Sequence, residues 1–246
     1  MMAMLLYRCW LEVRSRVLSA AAVLALLSIA TVLRAPGTIA ALEQFHGERV
    51  SYGLYVWLSL PHGWLQFTWI LVALLLGMGG LLREQALGTA GFTLALPVSR
   101  WRIVAARAVV GAAAAAVLAA IPMALVALLS PLAGYAFPAR QAFLFSITVA
   151  GVGMVFYGLG FLLSHLFRGE YTSPALGMGI VGALWVITRT PAFHEYDLFR
   201  VMSGGEALDH TNFFLPGLPW LAVAASLAAF AAMVAASALL VRRRDF

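Results

Sequence analysis

The chain has 246 residues, 63% of them hydrophobic and 11% charged, with a mean hydropathy of +0.94. A water-soluble domain of this size has no use for so much apolar surface, so the expected solvent is a lipid bilayer. Its net charge of +6 comes from sixteen Arg and no Lys, which excludes a phosphate-binding P-loop and any Schiff-base or Ser-Lys mechanism, since each needs a lysine amine.

Residues 1–16, MMAMLLYRCWLEVRSR, do not read as a cleavable signal peptide. The basic residues follow the first apolar ones, and no small-residue cleavage site precedes the long hydrophobic run. Helical spacing puts Leu6, Trp10, Val13 and Val17 on one face and Arg8, Glu12, Ser15 and Arg16 on the other. Two readings follow: a helix lying in the membrane interface, or a downward extension of the first span. Trp10, Arg14 and Arg16 are expected membrane anchors, and Arg8 and Glu12 can pair at i, i+4. Cys9 is the one cysteine and cannot form an internal disulfide.

Six hydrophobic runs follow, at 17–33, 64–82, 108–129, 142–163, 174–187 and 218–241. A span needs about 20 apolar residues, and the fifth run falls short of that. Its glycines (Gly177, Gly179, Gly182) suggest close packing, so it reads as a short span with Arg189 snorkelling outward. Residues 34–63 carry Pro36, Gly37 and Pro61 around a middle that could form a short amphipathic helix. Residues 189–217 end in FFLPGLPW. That apolar piece is broken by Pro216 and Pro219, and is either a re-entrant segment covered by protein or a plain outer loop with an aromatic belt.

Six spans put the first residues, the 83–107 corner, the 164–173 loop and the last residues on one side. That side holds eleven Arg: Arg8, Arg14, Arg16, Arg83, Arg100, Arg102, Arg107, Arg168, Arg242, Arg243 and Arg244. The other side holds five: Arg34, Arg49, Arg140, Arg189 and Arg200. The positive-inside rule makes the first side cytoplasmic. The pI near 10.1 therefore reflects membrane orientation rather than nucleic-acid binding. Arg102, Arg242, Arg243 and Arg244 read as interfacial anchors.

The corner reads REQALGTAGFTLALPVSRWRIVAAR. Pro97 disfavours helical geometry at Leu96, so a first helix should end there. Ser99 suits the N-cap of a second helix, and Glu84 suits the first turn of the short one. The pattern Glu84, Gly88, Thr89, an apolar run, then Leu96-Pro97-Val98-Ser99-Arg100 resembles the cytoplasmic coupling helix of ABC-2 type exporter permeases, also called type V. The ending RRDF is loosely similar to that family as well.

The resemblance implies a fold and partners. The fold is one all-α transmembrane permease domain over 1–246, with six spans, an interfacial helix at 1–16, a coupling helix at 83–97 and both ends cytoplasmic. A re-entrant segment before the sixth span also belongs to that pattern. Arg83, Glu84, Gln85, Gly88, Thr89, Pro97, Ser99 and Arg100 would form the interface to a separate P-loop ATPase. That partner, in two copies, would bind ATP and Mg, and a second permease copy would complete the path. No catalytic residue, cofactor or nucleic-acid partner is expected in this chain, and the expected location is a bacterial cytoplasmic membrane.

No Asp, Glu, Lys or Arg lies in the middle of a run. Ion-coupled transporters usually need such groups at membrane depth, so energy is expected to come from another protein. The walls offer Trp69, Phe143, Phe145, Phe156, Tyr157 and Trp185, which suit a lipid, apolar peptide or amphipathic drug if they line a path; packing residues are the plainer reading of each. Competing readings are an intramembrane enzyme, a non-transporting scaffold, and the permease of a copper-enzyme maturation system. His194, Asp197 and His210 form a weak candidate for an outer metal site, set against a solvated acidic loop.

Overall fold

The computed structural model describes residues 2–47, 49–78, 99–167, 172–193, 195 and 197–243. Those residues are helical almost throughout: α1 (Met2–His46), α2 (Tyr52–Ser59), α3 (Leu65–Gly77), α4 (Arg100–Leu129), α5 (Ala139–Leu166), α6 (Thr172–Thr188), α7 (Leu198–Met202) and α8 (Trp220–Arg243). Among them the single extended pairing is the isolated bridge between Asp209 and Phe214. Five stretches are long and apolar enough to cross a membrane: Ala3–Phe45, Tyr52–Gly77, Arg100–Ala133, Ala139–Leu166 and Trp220–Arg242. The shorter apolar helix α6 has 17 residues.

The first two helices differ from the sequence reading. Residues 1–16 and 17–33 are not separate elements, because α1 continues from Met2 to His46, through Pro36. Proline removes one helical hydrogen bond, but the residues beside it are anchored. Ala35 and Ile39 are buried, and the Tyr55 hydroxyl donates to the Thr31 carbonyl at 2.7 Å. The second span likewise begins before residue 64. Ser51 caps α2, its hydroxyl accepting from the Leu54 N–H at 3.1 Å. A wide turn at Leu60–Trp64 then joins α2 to α3 across non-helical geometry at Gly63. A Cβ at Gly63 would meet the Leu58 carbonyl oxygen. Pro61 and Gly63 thus kink an apolar helix instead of ending it.

Helix α5 is the centre of the bundle. It packs on α8, α4, α3 and α6. Gly153 faces Trp69 and Gly160 faces Leu74, so α3 and α5 run parallel. Gly151 faces Val223 and Gly158 faces Phe230, so α8 is parallel to them too. Leu5 and Cys9 pack on Ile103 and Ala106, and Glu12 meets Arg107, so α1 and α4 are parallel to each other. Tyr157 of α5 reaches Arg107 and Ala108 of α4, near the start of that helix, so this pair runs the opposite way. One end of the bundle therefore gathers residues 2–16, 75–78, 99–107 and 161–167 with the last turns of α8. This end carries Arg8, Arg14, Arg16, Arg100, Arg102, Arg107 and Arg242.

The opposite end is closed by residues 197–219, folded back onto the helices. Asp197 caps α7, its Oδ1 accepting from the N–H groups of Phe199 (2.9 Å) and Arg200 (3.2 Å). The Gln66 amide donates to the Phe199 carbonyl, and the Trp57 indole donates to the Ser203 carbonyl at 2.9 Å. Gln141 holds both main-chain groups of Leu215, donating to its carbonyl at 3.0 Å and accepting from its N–H at 2.9 Å. Phe213 adopts a left-handed φ of +58°, rare for an aromatic. It is held there between the Asp209–Phe214 bridge and the Trp57 ring. FFLPGLPW is thus neither a helix nor a free loop: Leu215 is fully buried, Trp220 begins α8, and Gln141 and Arg140 hold the carbonyls of Leu215 and Pro216.

Candidate coupling face at the arginine-rich end

The expected coupling helix at 83–97 lies outside the described residues, and with it Arg83, Glu84, Gln85, Gly88, Thr89 and Pro97. Both of its flanks are described. Before it, α3 ends at Gly77, and Met78 turns into an extended conformation. Arg16 of α1 reaches this terminus and donates to the carbonyls of Leu75 (3.3 Å) and Met78 (3.1 Å). A cation is well placed there, since the last carbonyls of a helix lack helical partners and carry its negative dipole end. Arg16 is therefore more than an anchor in the interface. It ties the first helix to the point where the second span stops.

After the segment, Ser99 occupies the N-cap position of α4 with φ −61° and ψ 141°. Its main-chain carbonyl accepts from Arg102 N–H at 2.9 Å and Ile103 N–H at 3.3 Å, but its hydroxyl makes no capping bond. Arg100, expected to face a partner, donates to the Val241 carbonyl of α8 at 3.3 Å. One helical turn after Ile103, the Arg107 side chain is 9% exposed and meets Glu12 Oε2 at 3.3 Å. Glu12 also pairs with Arg8 at 3.5 Å. Behind Arg107, the buried Tyr157 hydroxyl lies 3.4 Å from the Arg107 carbonyl and 3.3 Å from that of Ala108.

These contacts make a belt. Three arginines, Arg16, Arg100 and Arg107, join α1, α3, α4 and α8 across the base of the bundle. Trp69, Phe145, Phe156 and Tyr157 fill the interior of the single chain, and the Trp69 indole donates to the Ala115 carbonyl at 3.1 Å. Ser146 and Thr148 bond back to their own helix at Ala142 and Leu144. Phe143 and Trp185 are exposed on the outside.

The remaining expected site residues fall apart from this belt. Trp10 is 39% exposed, and Arg14, Arg102 and Arg242 are also exposed. The Arg243 side chain and all of Arg244 lie outside the described residues, as does His194. Of the outer metal candidates, Asp197 spends its carboxylate on the α7 cap, and His210 is exposed with its ring perpendicular to that of Phe213. Among the described residues no three His, Cys, Asp or Glu gather as a metal site.

Sequence reading missed Gln66, Gln141, Arg140 and the Glu12–Arg107 pair. Arg140 donates to the Pro216 carbonyl at 2.9 Å. A signal existed for the two glutamines. An amide within or at the edge of an apolar run must find hydrogen-bond partners, and irregular backbone folded over the bundle end supplies them.

Several long apolar helices around one core define a multi-pass integral membrane protein. A family model described as ABC-2 family transporter protein matches residues 17–199, well over half of the chain. The chain belongs to that family, and is thereby the permease domain of an ABC transporter, a class that works with an ATPase. No curated protein matches it.

Proposed function

We propose that this chain is the transmembrane subunit of an ABC exporter for a hydrophobic or amphipathic substrate, such as a lipid, an apolar peptide or a drug. A separate ATPase subunit, in two copies, hydrolyses ATP, and a second permease copy pairs with this one. Residues 83–97 form the coupling helix, with Arg83, Glu84, Gln85, Gly88 and Thr89 meeting the ATPase and the Pro97–Ser99 corner passing movement into α4. The arginine-rich end is cytoplasmic, both ends of the chain lie there, and α6 is the short fifth of six crossings in a bacterial cytoplasmic membrane.

The observation that carries this reading is the belt of Arg16, Arg100 and Arg107. The two chain positions that bracket residues 79–98 are each bonded to another helix by an arginine. A push on that segment would reach α1, α3, α4 and α8 together rather than bending one loop. The eleven-to-five arginine asymmetry supports the orientation, and the lack of charge in mid-span supports an external energy source.

The test is co-purification with a P-loop ATPase, followed by reconstitution in vesicles with a panel of lipids and amphipathic peptides. Wild type should hold the ATPase and show substrate-stimulated ATP hydrolysis. Glu84→Arg or Gly88→Trp should lose the ATPase while the permease stays folded. Full transport by both variants, or labelling of position 84 from outside the cell, refutes the assignment.

A further inference from the structure

Helices α1 and α4 leave the arginine-rich end side by side but do not close along one flank. The groove between them has a volume of about 420 Å³ and is lined by Tyr7, Trp10 and Val17 of α1 and Val110, Ala113 and Val117 of α4. Tyr7 and Val117 remain 64% and 60% exposed. In a bilayer such a surface meets either another protein or lipid, and the charges around it distinguish the two.

Arg14 stands between Trp10 and Val17 on the same helical face, four residues after one and three before the other. Arg102 stands three turns before Ala113 on the matching face of α4. Both are exposed, and among the described residues neither forms an ion pair. Glu12 is the one described carboxylate at this end, and Arg8 and Arg107 already engage it. A second copy docked here about a two-fold axis would bring its own Arg14 and Arg102 toward these, placing like charges together. An anion with an apolar tail has the complementary pattern. Val17 opens the first apolar run, and from Val110 to Val117 the α4 wall of the groove runs about 10 Å at 1.5 Å per residue, within the roughly 15 Å depth of one leaflet's hydrocarbon.

We propose that this groove is a binding site for one anionic phospholipid, with the phosphate at Arg14 beside Trp10 and an acyl chain running inward along Val17, Val110 and Val117. The site opens sideways to the membrane, so it holds a resident lipid rather than a passenger in a central path. The proposal goes beyond the exporter reading and does not rest on it.

The experiment is native mass spectrometry of the full-length protein, purified in mild detergent and titrated with phosphatidylglycerol or phosphatidylcholine of identical chains. Wild type should retain phosphatidylglycerol preferentially, one per chain. Arg14→Gln should weaken that retention about fivefold, the usual effect of one arginine at an anionic surface, and leave phosphatidylcholine unchanged. Ala113→Phe should displace both lipids, and because Ala113 is exposed, the helix packing should survive. Equal retention of the two lipids by wild type, or undiminished retention by Ala113→Phe, overturns the proposal. Conversion of a dimer to a monomer by Ala113→Phe with lipid still bound assigns the groove to a second copy instead. The measurement involves no nucleotide and no ATPase, so its failure is separate from any failure of the coupling assignment.

Discussion

Replacing Gly160 by alanine should push α3 and α5 apart. At their crossing, a Cβ on Gly160 would lie 2.8 Å from the Leu74 carbonyl oxygen and 2.9 Å from its Cα, while one on Gly77 would lie 2.6 Å from the Phe161 nitrogen and 2.7 Å from the Gly160 carbonyl carbon. These are main-chain atoms and cannot rotate away. Non-bonded carbons prefer about 3.5–4.0 Å, so the helices must separate by about 1 Å. Overpacking of this kind costs about 1–3 kcal/mol, and alanine recovers about 0.5–1 kcal/mol over glycine inside a helix. The net expectation for Gly160→Ala is a loss of about 1–2 kcal/mol. Lipid supplies no hydrophobic force to hold helices together, so close packing carries much of the association.

The assay is thermal unfolding in detergent, with Gly179→Ala as the control. Nothing lies within 4 Å of a Cβ at Gly179, so that variant should match or slightly exceed wild type. The double variant Gly77→Ala/Gly160→Ala should cost less than the sum of the singles, because helices already parted for one methyl accommodate the other. A Gly160→Ala protein as stable as wild type would refute the close-packing argument.

Arg16→Gln removes the cation from the Leu75 and Met78 carbonyls; in the reconstituted transporter, transport should fall more than ATP hydrolysis, and an equal fall of both would count against a transmitting role. Gln141→Leu leaves the Leu215 N–H and carbonyl without their side-chain partner at a site where Gln141 is 4% exposed. At about 1–3 kcal/mol for each stranded group, it should lower the melting temperature and open residues 203–217 to protease. The Asp209 carboxyl is held below the ordinary carboxylate range, first by the Thr211 hydroxyl and then by the Thr211 N–H. Because the folded value is depressed, this contribution is present at neutral pH and is lost as pH falls through the lowered value. Protease sensitivity of the 209–214 turn should therefore stay flat from about pH 8 to 5 and rise only in stronger acid.

Much of this architecture was legible in the residues. The composition named the bilayer, and apolar runs located α5, α6 and α8 to within three residues, because a long hydrophobic run in lipid must satisfy its own backbone and does so as helix; α4 begins eight residues before its run, at the Ser99 cap. Pro36, Gly37 and Pro61 misled, since their local chemistry signals a break. Whether a break becomes a kink depends on what packs beside it, here Ala35, Ile39 and the Tyr55 hydroxyl.

Residue pattern alone also determined that this chain carries no P-loop lysine and no mid-span charge, and it marked the arginine-rich end. It could not determine what those arginines touch. Arg16 read as a membrane anchor and Arg100 as part of an ATPase interface; in the bundle they bond to carbonyls 59 and 141 residues away. Contacts across such separations follow from helix direction and register, which only the assembled bundle decides. The same holds for the outer cap, where Gln66 and Gln141 find main-chain partners 133 and 74 residues distant.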